Sequence, residues 1–248
     1  MKVPAIMPLS ASPKPAVTGD AKPALKVASY NIRKAMGIDR RRDPARILQV
    51  VNQIGADVVV LQEADLRLGP RPAAIPRFLI AQETDYDVVD LARNDVSLGW
   101  HGNAIFVRKG LEVTETRRFE LPGLEPRGAV MARVEGVNVV GAHLGLLRRY
   151  RLKQMSEIRD QLGALRAEAA IFGDFNEWSD VRGYEPWERD FTLTLPGRSY
   201  HASRPFVALD GIAYGSALAL DDAGVEEGGA ARRASDHLPI WAQLSRRG

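Results

Sequence analysis

The chain has no cysteine, which excludes disulfides, thiolate zinc sites and cysteine nucleophiles. That absence suits a reducing compartment, so a cytoplasmic location is expected, with export as the secondary possibility. Histidine is also scarce, with four among 248 residues, too few for a histidine-rich metal store. No apolar run approaches the roughly 20 residues of a membrane span. A secretory leader needs a longer apolar middle than Val3 to Leu9, which Pro4 and Pro8 interrupt. Residues 1–24, rich in Pro and Ala, therefore read as a flexible tail. Residues 25–248 read as a single domain.

Charge of either sign is nearly balanced: 34 Lys and Arg against 31 Asp and Glu leave a net charge of +3. A mild basic excess suits an anionic substrate without selecting one. Arginine is nonetheless clustered, at Arg40 to Arg42, at Arg148, Arg149 and Arg151, at Arg232 and Arg233, and at Arg246 and Arg247. Each cluster alone reads as a solvated surface. Hydrophobic residues make up 45% of the chain, enough for a sizeable core.

From Leu25 the pattern becomes regular. Residues 25–32 read as a strand. Asp43 and Pro44 then supply an N-cap and first helical position, Ile47, Leu48, Val51 and Ile54 form one apolar face, and Gly55 is a natural stop. Residues 57–62 are a continuous apolar strand of the kind buried on both faces, completing a β-α-β unit with parallel strands. After a Pro-rich loop over Gly69 to Pro76, strands are expected at 103–108, 112–120, 129–134 and 137–142. An amphipathic helix is expected over 148–168, with Leu152, Met155, Ile158, Leu162 and Leu165 on one face. Its basic beginning, residues 148–153, reads as exposed. Further strands are expected at 169–174, 206–214 and 238–244. Strand-helix alternation mixed with hairpin-like pairs points to an α/β sandwich of two sheets with helices outside.

Polar groups recur where apolar strands end. Asn31 follows VASY, Glu63 follows VVVLQ, His143 follows VVGA and Asp174 follows AIFG. Each alone is adequate as a turn or cap residue; together they place ionisable groups along the rim where α/β folds bind ligands. Asp174 and Asn176 flank Phe175 in a tight turn, and Ser235-Asp236-His237 precedes an apolar strand. Asp210 sits in otherwise apolar ALDGIAYG, where an unpaired charge would be costly, so a partner, most simply a histidine, is required.

The segments SYNIR (29–33), LQEAD (61–65), HGNAIFV (101–107), PRGAV (126–130), GAHLG (141–145), GDFNEW (173–178), LDGI (209–212) and SDHLPI (235–240) resemble, in order, the motifs of the endonuclease/exonuclease/phosphatase superfamily, in particular its uncharacterised bacterial members. The resemblance implies a DNase I-like four-layer sandwich: two mixed β-sheets packed together, with helices on the outer faces. It implies a metal-dependent phosphoester hydrolase using Mg²⁺ or Mn²⁺. Asn31, Glu63 and Asp236 would be metal ligands, Asp174 and Asn176 would position or activate the attacking water, and Asp210 would orient His237. His143 and Arg127 would contact the phosphate. One departure stands out. DNase-like members pair the middle histidine with a glutamate near 103–107, whereas this chain reads Trp100, His101, Gly102, Asn103, which weakens a reading as a double-strand-cutting nuclease.

The substrate expectation is a phosphodiester, either nucleic acid or a phospholipid or small molecule. The arginine clusters favour the former, and the missing aromatic-basic interleaving disfavours it. A phosphomonoesterase and a non-catalytic binding module that keeps the fold are the alternatives. None of the implied site residues is missing, which ranks the binding module low. Nothing in the sequence calls for an obligate protein partner.

Overall fold

The computed structural model describes residues 25–179 and 182–247; the tail expected over 1–24 lies outside the described residues. In chain order the elements are β1 (Leu25–Asn31), α1 (Pro44–Ile54), β2 (Val58–Gln62), α2 (Arg77–Glu83), β3 (Tyr86–Val88), β4 (Ala104–Arg108), β5 (Val113–Leu121), β6 (Arg127–Val134), β7 (Val137–His143), α3 (Arg148–Leu162), β8 (Ala169–Asp174), β9 (Phe191–Thr194), β10 (Asp210–Gly215), β11 (Leu218–Val225), α4 (Ala231–Ala234) and β12 (Ile240–Arg246). One six-stranded sheet runs β11-β12-β1-β2-β4-β3, and a second runs β5-β6-β7-β8-β10-β9.

Side-chain alternation decides how the layers pack. Val58 and Val60 of β2 and Ile105 and Val107 of β4 point toward Val130, Val139 and Phe172 of the other sheet, forming the inter-sheet core. The opposite faces of β2 and β4 offer Val59, Leu61 and Phe106 to α1, whose Ile47, Leu48, Val51 and Ile54 cover them. On the far side, Met131, Val140 and Ile171 meet Met155, Ile158 and Leu162 of α3. This produces four layers: helix, sheet, sheet, helix. A Cβ on Gly141 would lie 2.6 Å from Val60 Cγ1, so the two sheets are in close contact between β7 and β2.

The helix signals act as expected at α1. Asp43 accepts from Arg46 N at 3.0 Å, Pro44 opens the helix, and Gly55 closes it in the left-handed conformation at φ 58°. Two expectations shift. The helix from Arg148 ends at Leu162, because Gly163 adopts φ 53° and the chain continues as a 3-10 turn over Gly163–Glu168. The strand expected from 206 begins only at Asp210, because Val207 bonds instead with the backbone of Tyr200. The short α2, β3 and β9 and the polar edge strand β11 carry no strong periodic signal and were not expected.

A second tie between the sheets is ionic. Glu168 accepts from Arg133 of β6 at 2.7 Å and from Arg246 of β12 at 2.5 Å. The hydrogen bond from Arg133 is the main reason its carboxyl is held below the usual range. A depressed folded pKa stabilises above the unfolded value of about 4.3, and the effect is lost as pH falls through the folded pKa. Glu168→Gln is therefore expected to lower unfolding free energy by up to about 1 kcal/mol near neutrality. The gap from wild type should close below about pH 4, as read by urea titrations across pH; a constant gap would remove this tie from the account.

Candidate active site

Strand direction brings the polar residues together. β1 and β2 run parallel with Asn31 beside Gln62, so Glu63 follows at the same edge. β7 and β8 run parallel with His143 beside Asp174. β10 is antiparallel to β8, so its first residue, Asp210, pairs with the last residue of β8, Asp174. β12 is antiparallel to β1, which brings Asp236 and His237, just before it, to that edge. Gly173 permits this packing, since a Cβ there would lie 1.8 Å from the carbonyl of Ala142.

Asp174 is the centre. Its Oδ2 accepts from Asn31 Nδ2 at 2.9 Å and its Oδ1 from the backbone N–H of Asn176 at 3.0 Å. The same Oδ2 lies 3.4 Å from His143 Nε2 and 3.7 Å from His237 Nε2. His237 Nδ1 is 2.8 Å from Asp210 Oδ2, which also accepts from Ser199 Oγ at 2.6 Å. The partner required for Asp210 is thus the histidine expected. Asn176 Nδ2 donates to the carbonyl of Leu144 at 2.9 Å, leaving its Oδ1 as the free acceptor. The carboxylate facing His143 is Asp174, not a residue of the 100–103 segment, where Asn103 instead donates to the carbonyl of Gly128 at 2.9 Å.

Burial and charge drive the two histidines apart. His143 is held well below the usual imidazole range, first by burial and then by Arg127, His237, Lys34 and Arg67. At His237 burial also opposes charge, but Asp210 and then Asp174 override it and push the pKa up to about 10. The carboxyl of Asp174 is raised, chiefly by burial. Near neutrality one carboxylate therefore faces a neutral and a cationic imidazole.

Next to this buried centre, a cleft of about 210 Å³ is lined by Lys34, Glu63, Arg67, Arg71, Arg127 and His143, among others. Glu63 pairs with the ammonium of Lys34 and lies 3.8 Å from Arg67, and Asp236 lies 3.2 Å from Arg33 Nε. Arg127 pairs with Glu125 at 3.3 Å, and burial lowers its pKa. Glu63 and Asn176 adopt φ 53° and φ 52°, left-handed conformations that are uncommon for non-glycine residues. Ligand atoms of Asp174, Asp210 and His237 lie within 4.8 Å of one another and could hold a metal ion.

All nine residues singled out in the sequence thus border one edge of the sandwich. The sequence did not single out Lys34, Arg67, Arg71 or Ser199; the backbone is left-handed at Arg33, Lys34 and Arg71, and Ser199 lies in the segment between β9 and β10. Nor did it reveal the buried pair of Arg151 and Glu177, 2.7 Å apart. The basic start of α3 is exposed only in part. Arg148 and Arg149 face solvent, while Arg151 turns inward and donates to the carbonyl of Leu146 at 2.5 Å. The i+4 and i+7 spacing of Met155 and Ile158 from Arg151 was the available signal.

The family model described as Endonuclease/Exonuclease/phosphatase family matches residues 28–237. No curated protein matches the chain. Among solved structures, a Bacteroides thetaiotaomicron protein titled as an endonuclease/exonuclease/phosphatase family member superposes with a TM-score of 0.71 at 20% identity, covering 91% of this chain and 98% of that one. A mannosyl-6-phosphatase from Bacteroides thetaiotaomicron gives 0.67 at 18% identity, covering 89% and 99%. The D. rerio TDP2 structure complexed with single-strand DNA product gives 0.67 at 17% identity, covering 89% and 98%. At these identities the likeness is one of fold.

Arg151 ties the loop after β7 to the loop after β8, so its removal strands the carboxylate of Glu177 in the interior. Arg151→Met is expected to cost about 3–5 kcal/mol, measured by denaturant unfolding. A cost below about 1 kcal/mol, typical of a surface pair, would show that the two loops hold without it.

Proposed function

The chain belongs to the endonuclease/exonuclease/phosphatase family, whose members hydrolyse phosphoester bonds, and from that premise we propose that it is a divalent-metal-dependent phosphodiesterase working by in-line attack of water. The observation that carries the reading is the buried Asp174 carboxylate, oriented by Asn31 and the Asn176 N–H and flanked by the imidazoles of His143 and His237 at 3.4 and 3.7 Å.

The fit to Mg²⁺ or Mn²⁺ rests on the donor set. Glu63, Asp236 and the Asn31 carbonyl are all oxygen donors, the type hard divalent ions select. Both carboxylates border solvent and already draw cationic groups, Lys34 to Glu63 and Arg33 to Asp236. Asn31 Oδ1 is oriented by the Arg33 N–H at 3.1 Å. The alternative group, Asp174, Asp210 and His237, suits an ion less well, because His237 Nδ1 and Asp210 Oδ2 are already bonded to each other and a charged imidazole is no ligand. An ion held by Asn31, Glu63 and Asp236 would supply Lewis-acid charge to a phosphoryl oxygen and the leaving oxygen.

The protein's own groups account for the remaining chemistry. Asp174, its carboxyl raised by burial, accepts the proton of the attacking water, which Asn176 Oδ1 helps to orient. The water oxygen forms a bond to phosphorus as the bond to the leaving alkoxide breaks. His237, kept cationic by Asp210 and itself fixed through Ser199, stabilises charge building on a non-bridging oxygen. His143 and Arg127 flank the phosphate from the cleft side. A phosphomonoesterase is the second reading, favoured by the four cationic side chains Lys34, Arg67, Arg71 and Arg127 along the cleft, which could meet a dianion.

Bis-p-nitrophenyl phosphate and p-nitrophenyl phosphate, assayed with Mg²⁺ or Mn²⁺ and again with EDTA, test both readings. EDTA is expected to abolish diester turnover, and Glu63→Gln or His237→Ala to lower it at least ~100-fold. Near-normal turnover in both variants would refute the assignment, and hydrolysis of the monoester alone would select the second reading.

A further inference from the structure

Large exposed apolar side chains are not scattered over this molecule. Of the nine among the described residues, six sit on loops at the catalytic edge: Leu68, Leu124, Leu146, Leu147, Trp178 and Phe206. Leu68 follows β2, Leu124 joins β5 to β6, Leu146 and Leu147 follow β7, Trp178 follows β8, and Phe206 precedes β10. Leu68 and Leu124 are 85% and 73% exposed, where their transfer from water would be favourable by general hydrophobic argument.

These residues border the active site on both sides. Leu124, Leu146 and Leu147 line an apolar hollow of about 190 Å³ that shares Arg127 with the catalytic cleft. Opposite, the Trp178 ring lies 6.1 Å from Phe206 and 6.3 Å from Tyr200, whose ring is 5.0 Å from His237. Arginines interleave with them: Arg67 beside Leu68, Arg148 and Arg149 beside Leu147, and Arg204 two residues before Phe206. Among the described residues Arg149 and Arg204 pair with no carboxylate, whereas Arg148 is neutralised by Glu185.

We propose that this rim docks the protein on an anionic lipid bilayer, so that the diester presented to Asp174 and His237 is that of a phospholipid headgroup. The inference rests on the phosphodiesterase reading for its substrate but not for its binding surface. Shallow insertion of apolar side chains, joined by basic residues, is how proteins hold to anionic membranes without spanning them. The rim is drawn from five separate loops that flank the site, which suits a planar surface and not an extended peptide. Four of its six members are leucines, which offer no ring on which a base could stack, so single-stranded nucleic acid is served less well.

The test is sedimentation of the intact protein with vesicles of phosphatidylglycerol and phosphatidylcholine, beside vesicles of phosphatidylcholine alone and a fluorescent oligothymidine. Binding is expected for the anionic vesicles. Leu124→Ser, Leu146→Ser and Leu147→Ser together should weaken it at least ~10-fold, and Arg149→Gln with Arg204→Gln should weaken it and flatten its salt dependence. Both variants should hydrolyse soluble bis-p-nitrophenyl phosphate within about twofold of wild type, since none of the substituted residues is assigned to the reacting centre. Failure of wild type to sediment, equal sedimentation of the leucine variant, or tighter binding to oligothymidine than to anionic vesicles would each overturn the proposal. Binding to vesicles without any diesterase activity would uphold the surface and sink the phosphodiesterase reading.

Discussion

Two hydrogen bonds, Asn31 to Asp174 and His237 to Asp210, join the two halves of this molecule at the point where its chemistry is concentrated. Asn31 Nδ2, at the end of the first sheet, donates to Asp174 Oδ2, at the end of the second, over 2.9 Å. Both residues terminate central strands that are buried along almost their whole length, so neither end can shift without disturbing the inter-sheet core. The contact fixes the sheets in register at one edge. Asp210, His143, Asp236 and His237 are carried to that edge by strands paired directly with β8, or with β1 on the other side.

The cost of placing a carboxylate there explains much of its surroundings. Asp174 is buried, and an isolated charge in such a position would neutralise itself. Two hydrogen bonds and the neighbouring imidazoles offset that penalty in part, and burial still raises its pKa. The asymmetry between the histidines has a definite origin. His237 has the dedicated Asp210 carboxylate behind it, whereas His143 looks toward the cationic wall of the cleft. A base, a cation and a neutral imidazole thus sit around one point, the division of labour that phosphoryl transfer by positioned water requires.

The elements with a strong period were legible in the sequence, and for physical reasons. β1, β2, β7 and β8 are buried on both faces and read as near-continuous apolar runs, and α1 carries a cap, a stripe and a glycine stop. Asn31, Glu63, His143 and Asp174 were legible because each interrupts such a run at its end. Loops were not legible. Lys34, Arg67 and Arg71 reach the cleft through backbone turns that no residue pattern announces, and Ser199 acts from a segment without periodicity. Arg151 shows the opposite error, in which a basic run was taken for surface although helix geometry turns one of its members inward to meet Glu177. The apolar rim was invisible for a similar reason, since its members, apart from the adjacent Leu146 and Leu147, are scattered in sequence and only the fold gathers them.

The proposed chemistry requires a cationic His237 and a neutral His143 beside Asp174, and ¹⁵N NMR of the histidine-labelled, metal-free protein near about pH 7.5 reads this directly. The His237 ring is expected to show two protonated nitrogens, with both signals becoming those of a neutral ring in Asp210→Asn. The His143 ring is expected to show one protonated and one bare nitrogen. Two neutral rings in the wild type, or two cationic ones, would contradict the electrostatic arrangement from which the proposed chemistry is drawn.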